Sequence, residues 1–424
     1  MSLAWISVGA LLLAVVLSCT TTINVGILSL ALALIVGLVG HMRPAEVLAG
    51  FPADLLVTLV GVTLLFAIAE VNGTLARLTD RAVRLCRGHA GVLPVMFFVL
   101  GFTIATIGAG ATPASALLAP PAMAIAARAQ VPPLLMAIMT GNGALAGTLS
   151  PFAPTGIVAH GVMRRIGLGG VEWQTFGYNA LAHALVGIVG FLLLGGWKLF
   201  RTGAGSAPAG GAAPAHGATA TRGAAAEPFE RQHWATAAAI AALIVAVAGF
   251  ELDVGMVTLT CAAILILLRA ADESRAIQRM PWGVILMVTG VSVLVALLGK
   301  TEGLTLISDG IAAVSTPTTI EPVAAFGTGL VSVYSSTSGV VLPAFLPMAP
   351  ALAERLGGIP PLPIAWSMNV SASLVDLSSL STVGALYIAS AAPGTDTRRL
   401  FNQLLAWGLA MTLVGAALCY LLFG

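Results

Sequence analysis

The 424 residues are 58% hydrophobic and only 8% charged, and they carry a formal net charge of +2. Soluble domains carry about 25% charged residues, so a soluble globular fold is excluded. No basic cluster with interleaved aromatics is present, which leaves no footprint for nucleic acid. The four cysteines (Cys19, Cys86, Cys261, Cys419) show no metal-ligand spacing and read as small buried hydrophobes.

Charge-free stretches of 18 or more residues can cross a hydrocarbon core of about 30 Å. In chain order, the pattern predicts spans at 3–19, 24–40 and 54–71, then a short amphipathic segment at 73–88. The first span lacks a positive leading region and has a partner near 234–250, so it reads as a retained span, not a signal peptide. A long apolar stretch, 91–128, follows and is interrupted by TIGAGATP. The next element, 132–163, is broken at Gly141-Asn142-Gly143 and at Ser150-Pro151-Phe152-Ala153-Pro154-Thr155; a last span covers 175–200. Residues 201–230 are mostly Gly, Ala, Ser, Thr and Pro and are expected to be a flexible linker. The second half then predicts elements at 233–250, 253–270, 281–299, 322–356, 361–391 and 400–423.

These elements repeat. Ile23-Asn24-Val25-Gly26 returns as Leu252-Asp253-Val254-Gly255, and GVTLLFAIAEVNGTL, from Gly61, returns as GVSVLVALLGKTEGLTL, from Gly290. At an offset of 227, Asn142 pairs with Asn369 and Leu149 with Asp376. If 91–128 and 322–356 are re-entrant hairpins, each half crosses the membrane five times and the two halves have opposite orientation. One face then receives Arg77, Arg81, Arg84, Arg87, Arg128, Lys198, Arg201, Arg222, Arg231, Arg269, Arg275, Arg279, Arg398 and Arg399. The other receives Arg43, Arg164, Arg165, Lys300 and Arg355. Positive residues favour the cytoplasm, so the linker is expected there, with both termini periplasmic. The expected fold is an all-α integral membrane protein. It has two inverted repeats, 1–200 and 231–424, each with five spans, one re-entrant hairpin and broken helices at the midplane. Duplication with a binding site between the halves is a recurrent plan of secondary transporters.

Gly, Pro and small polar residues at membrane depth free backbone groups that lipid cannot satisfy, so such breaks must face protein or water. The hairpin tips precede half-helices whose N-terminal N–H groups can hold an anion. At the tips, Gly110, Thr112, Ser336, Thr337 and Ser338 are candidate substrate contacts; Asn142, Thr155, Asn369 and Thr382 at the breaks complete the set. Asp376 is the acid deepest in an apolar element, and an intramembrane carboxylate marks a functional site by default. With Asn142, Asn369 and Ser373 it forms the candidate site for a coupling Na⁺ or H⁺. No Arg or Lys falls at the expected midplane, and His160 and His183 read as packing residues. No HExxH, GxSxG or paired catalytic aspartates suggest an enzyme, and no ring of charges suggests a channel.

The tracts INVGILSLALALIVG, FPADLLVTLVGVTLLFAIAEVNGTL, GNGALAGTLSPFAPTGI and VYSSTSGVVLPAFLPMAP resemble the MatC-type dicarboxylate (malonate) carrier family over nearly all of both halves. That family belongs to a broad ion-transporter superfamily that includes the divalent anion/sodium symporters. The resemblance implies a homodimeric, ion-coupled carrier of malonate or C4 acids in a bacterial inner membrane, with an elevator-like motion and no cofactor. Where the sodium symporters carry Ser-Asn-Thr at each tip, this chain has Gly110-Ala111-Thr112 and Thr337-Ser338-Gly339. Both Na⁺ and H⁺ therefore stay open as coupling ion. A membrane subunit that needs a soluble binding protein, or a carrier of another anion, is the alternative.

Overall fold

The computed structural model describes residues 2–21, 23–77, 91–200, 229–250 and 252–424. The linker at 201–228, the end of the amphipathic segment, Cys86 and Arg81, Arg84, Arg87, Arg201 and Arg222 lie outside the described residues. Among those described, every regular element is a helix.

The first half comprises α1 (Leu3–Thr20), α2 (Val25–Val39), a short α3 (Pro44–Leu48) and α4 (Ala53–Val71), then α5 (Val92–Ile104), α6 (Ala111–Arg128), α7 (Pro133–Ala146), α8 (Pro154–Arg165) and α9 (Glu172–Leu193). The second half comprises α10 (Arg231–Phe250), α11 (Val254–Leu267), α12 (Glu273–Arg279), α13 (Trp282–Lys300), α14 (Gly303–Ala313), α15 (Ile320–Tyr334), α16 (Leu342–Phe345), α17 (Ala349–Arg355), α18 (Pro361–Leu374), α19 (Thr382–Ala389) and α20 (Thr397–Phe423). Helix starts follow local chemistry. Asn24 caps α2 by accepting from the Gly26 N–H, and Asp253 caps α11 at the matching place by accepting from Met256. Paired prolines, Pro132-Pro133 and Pro360-Pro361, open α7 and α18, where a missing N–H has no consequence.

The two halves interlock through glycine. A methyl group on Gly26 of α2 would lie 2.0 Å from the Leu286 carbonyl of α13, and one on Gly290 would lie 2.1 Å from the Gly26 carbonyl. The counterparts meet in the same way: a methyl on Gly61 of α4 would lie 2.4 Å from Thr258, and one on Gly255 of α11 would lie 2.9 Å from Thr58. Small residues let helix backbones approach closely in a membrane, where burial of apolar surface gives no drive to associate. Asn24 Nδ2 adds a hydrogen bond to the Gly283 carbonyl (2.8 Å).

The elements around the breaks are also close-packed. Gly101 of α5 abuts Thr140 and Ala144 of α7, Gly143 abuts Phe98, and Gly147 abuts Phe102, so α5 and α7 run parallel. Asn179 of α9 donates to the Leu145 carbonyl (2.9 Å), whereas Gly190 sits against Ile138, so α9 runs antiparallel to α7. In the second half Ser371 touches both Gly329 of α15 and Gly415 of α20, and Cys419 contacts the Ser367 carbonyl.

Among the described residues, six helices are long and apolar enough to cross a membrane. Outward surfaces stay apolar on these and on the shorter α11, with Leu193 at 79%, Leu421 at 77% and Leu267 of α11 at 82% exposure, as lipid contact requires and water would penalise. Basic residues gather at two ends. Arg43 and the Lys300 Nζ meet at Glu46, Arg165 pairs with Asp54 and Arg355 with Asp309. At the other end of α4, Arg279 pairs with Glu70 and Arg77 with Glu230, while Asn72 bonds Thr236. Beside Arg43, the Glu46 carboxyl is held below its ordinary range by that guanidinium and by the Arg43 backbone N–H.

Candidate functional site

Two helix pairs are interrupted where the sequence carries Gly and Ser clusters. After α5, a π-helical turn, Ala105–Ala109, ends in Gly108 (φ 129°) and Gly110 (φ 79°), conformations that only glycine adopts freely. α6 then starts at Ala111 without a side-chain cap, leaving the first-turn N–H groups of Ala111 and Thr112 without helical acceptors. After α15, extended Ser335 leads into a second π turn, Thr337–Val341, capped by Ser336 Oγ accepting from the Gly339 N–H (3.1 Å).

The other two interruptions lie between α7 and α8 and between α18 and α19. They match residue for residue. Ser150 Oγ accepts from the Phe152 N–H (3.2 Å) and Ser378 Oγ from the Leu380 N–H (3.3 Å). A methyl on Gly156 or Gly384 would fall 2.0 Å from the Ser150 or Ser378 carbonyl, respectively. The ends of α7 and α18 and the starts of both helix pairs agree, so the two broken helices correspond at an offset of 228, not 227. Two expectations are thereby corrected: the counterpart of Asp376 is Thr148, not Leu149, and Asn142 and Asn369 are not counterparts. One residue turns a helical position by about 100°, enough to move a side chain to another face.

All four interruptions border one cavity of about 580 Å³. The structure brings Gly110, Thr112, Thr155, Ser336, Thr337, Ser338, Thr382 and Asp376 together on its wall. Asn142, Asn369 and Ser373 do not line it. Asn142 donates to the Ile138 carbonyl (3.0 Å) and its Oδ1 meets His183 Nδ1 (2.9 Å). Asn369 donates to the Ala365 carbonyl (2.9 Å). Ser373 Oγ donates to Asn179 Oδ1 (2.5 Å) and meets His183 Nε2 (3.2 Å). In an apolar helix bundle, a buried amide or hydroxyl takes the nearest backbone carbonyl or polar neighbour, which turns it away from the cavity; Asn369 Oδ1 alone of these groups is left without a partner.

At the second tip four oxygens converge. Thr337 Oγ1 donates to Asp376 Oδ1 (2.5 Å) and stands 2.5 Å from Ser332 Oγ, and both hydroxyls lie within 3.2 Å of the Ala372 carbonyl. Ser381 Oγ donates to the Asp376 main-chain carbonyl, which fixes the break beside the carboxylate. Carboxylate, hydroxyl and carbonyl oxygens are the donors that a hard cation takes.

Several wall residues escaped the sequence reading: Thr63, Phe66 and Glu70 of α4, Tyr334 and Arg279. Thr148, Ser335 and Ser381, at the breaks and tip that the sequence marks, also line the wall. Arg279 and Glu70 carried no signal, because each ends a helix at a face whose distance from the breaks only the folded chain reveals. The sequence offers no Arg or Lys at the midplane; the basic residue that borders the cavity is Arg279, at the end of α12, whose Nη1 stands 3.5 Å from Glu70 Oε1.

Two likenesses to known proteins bear on this geometry. A family model described as the N-terminus of the dicarboxylate carrier protein MatC matches residues 1–148. The fold is similar to that in a crystal structure of the Alcanivorax borkumensis YdaH transporter, described as having an unusual topology. The TM-score is 0.53 at 16% identity, over 89% of this chain and 86% of that one. At that identity the likeness is one of fold. No curated protein matches the chain. Neither likeness is to an enzyme. The chain is a membrane-embedded helical protein with a transporter fold, and its N-terminal third is similar to dicarboxylate carriers.

Proposed function

We propose that this protein is a secondary active transporter of small dicarboxylates, malonate or a C4 acid, driven by cotransport of Na⁺ or H⁺. One observation carries the reading: four helix interruptions, two from each half, meet at one cavity and bring hydroxyls and a carboxylate to its largely apolar wall. The hairpin tips would hold a carboxylate on the free N–H groups of Ala111 and Thr112 and on tip hydroxyls. The oxygens around Asp376 would hold the coupling cation. Charge supports coupling. The cavity wall carries Glu70 and Asp376 against Arg279, so a dianion alone would enter an already acidic site. A cation or proton at Asp376 relieves that repulsion.

The inverted arrangement is supported by equivalent loops at opposite ends. The segment before α4 lies by Lys300 and Arg165, whereas the equivalent segment before α13 brings Arg279 to Glu70. The parallel run of α5 and α7, joined by a short turn after α6, supports a re-entrant hairpin over 92–128. The face with more Arg and Lys is cytoplasmic in this reading, so the termini are periplasmic and the cavity opens inward. The inner membrane, the homodimer and the elevator motion follow from the resemblance to the carrier family.

Uptake of labelled malonate into proteoliposomes, under separate inward Na⁺ and H⁺ gradients, tests this reading. Gradient-driven uptake is expected with one ion and is expected to be lost in Asp376→Asn. Uptake that needs no gradient would refute coupling, and uptake that appears only when a soluble binding protein is added would favour the subunit alternative.

A further inference from the structure

We propose that Arg279 is the specificity residue for the second carboxylate of the substrate, and that Glu70 occupies its guanidinium until substrate displaces it. This rests on the dicarboxylate reading above. Arg279 is the one cationic side chain among the described residues lining the cavity, and it pairs with another lining residue, Glu70. Their contact is loose. At 3.5 Å it exceeds the range of a good charge-assisted hydrogen bond, and the side chains are 68% and 49% exposed. An exposed pair of this kind contributes little, so it is readily exchanged.

Helix chemistry points the same way. Arg279 ends α12 and Glu70 lies in the last turn of α4. A helix C-terminus carries partial negative charge, which favours Arg279 and opposes Glu70. Glu70 is therefore held at an unfavourable end by its contact with Arg279, which makes it a placeholder and not a structural anchor. A free carboxylate brings no such penalty and can meet the planar guanidinium with two parallel hydrogen bonds. The hairpin tips offer N–H groups and hydroxyls to one carboxylate, and Arg279 offers a guanidinium to another. A diacid can use both; a monoacid can use one.

Equilibrium binding of labelled malonate and labelled propionate to the purified full-length protein, at fixed ionic strength, tests the assignment. Arg279→Gln is expected to raise the Kd for malonate about tenfold and leave that for propionate within twofold, with Arg279→Lys between. Glu70→Gln is expected to lower the malonate Kd about threefold by freeing the guanidinium. Equal effects of Arg279→Gln on both acids, or weaker malonate binding in Glu70→Gln, would overturn the proposal while leaving the dicarboxylate reading intact. If the wild type binds neither malonate nor succinate, both fall together. Should Arg279→Gln fail to fold, the sign of the Glu70→Gln effect decides alone.

Discussion

Asn142 and Asp376 show what a residue's identity does and does not reveal. Both are polar residues in apolar helices, and both drew attention on that ground. Asp376 reaches the cavity wall, because α18 ends two residues earlier and the chain turns there. Asn142 lies within α7, facing His183, and reaches only protein partners. A carboxylate announces itself by the energetic cost of its burial; an amide can be satisfied by a backbone carbonyl one turn away. The direction a helical residue faces depends on its phase, and an alignment in error by one residue loses that phase. Asn142 is thus expected to behave as a packing residue. Asn142→Ala leaves His183 Nδ1 without its acceptor inside the bundle, which costs on the order of 1–3 kcal/mol. Its thermal midpoint in detergent should fall by several degrees while the malonate Kd holds. An unchanged midpoint with a weakened Kd would return Asn142 to the binding site.

At the scale of an element, the breaks were legible and their register was not. Gly, Ser and Pro at membrane depth mark where a helix must stop, whatever the details. The close approach that defines the break is a tertiary fact: Gly156 and Gly384 each begin a helix with the backbone pressed against the carbonyl of a preceding serine. A methyl group 2.0 Å from a carbonyl oxygen cannot be accommodated by a side-chain rotation, since the obstacle is main chain. Gly156→Ala and Gly384→Ala are therefore both expected to destabilise the protein, by about 1–3 kcal/mol or more, as overpacking does. Gly177→Ala is the contrast. It lies in α9 with nothing within 4 Å of the added atom, and in a helix interior it should be neutral or stabilising by up to about 1 kcal/mol. Thermal melting of the three variants checks this. A mild Gly384→Ala beside a severe Gly156→Ala would show that the two breaks are not equivalent.

Across the whole molecule, duplication in the sequence became interdigitation in the fold. The repeat could have folded as two separate bundles joined by residues 201–230. Instead α2 of the first half lies on α13 of the second, and α4 lies on α11, with Gly26 against Gly290 and Gly61 against Gly255. Each half thus leaves close-packing glycine faces that only the other half covers. The cavity divides in the same way, with Thr112, Thr148 and Thr155 from one half and Thr337, Asp376 and Thr382 from the other. Neither half should accordingly be stable or bind substrate alone. Co-expressed fragments 1–200 and 229–424 should associate, because the glycine contacts need proximity and not a covalent join. Co-purification of an untagged fragment with its tagged partner, followed by malonate binding, is the measurement. Leucine in place of Gly26 should abolish recovery, since the added side chain meets the α13 main chain. Recovery of either fragment alone in a folded, substrate-binding form would mean that the halves are independent units and that the shared cavity is not the site.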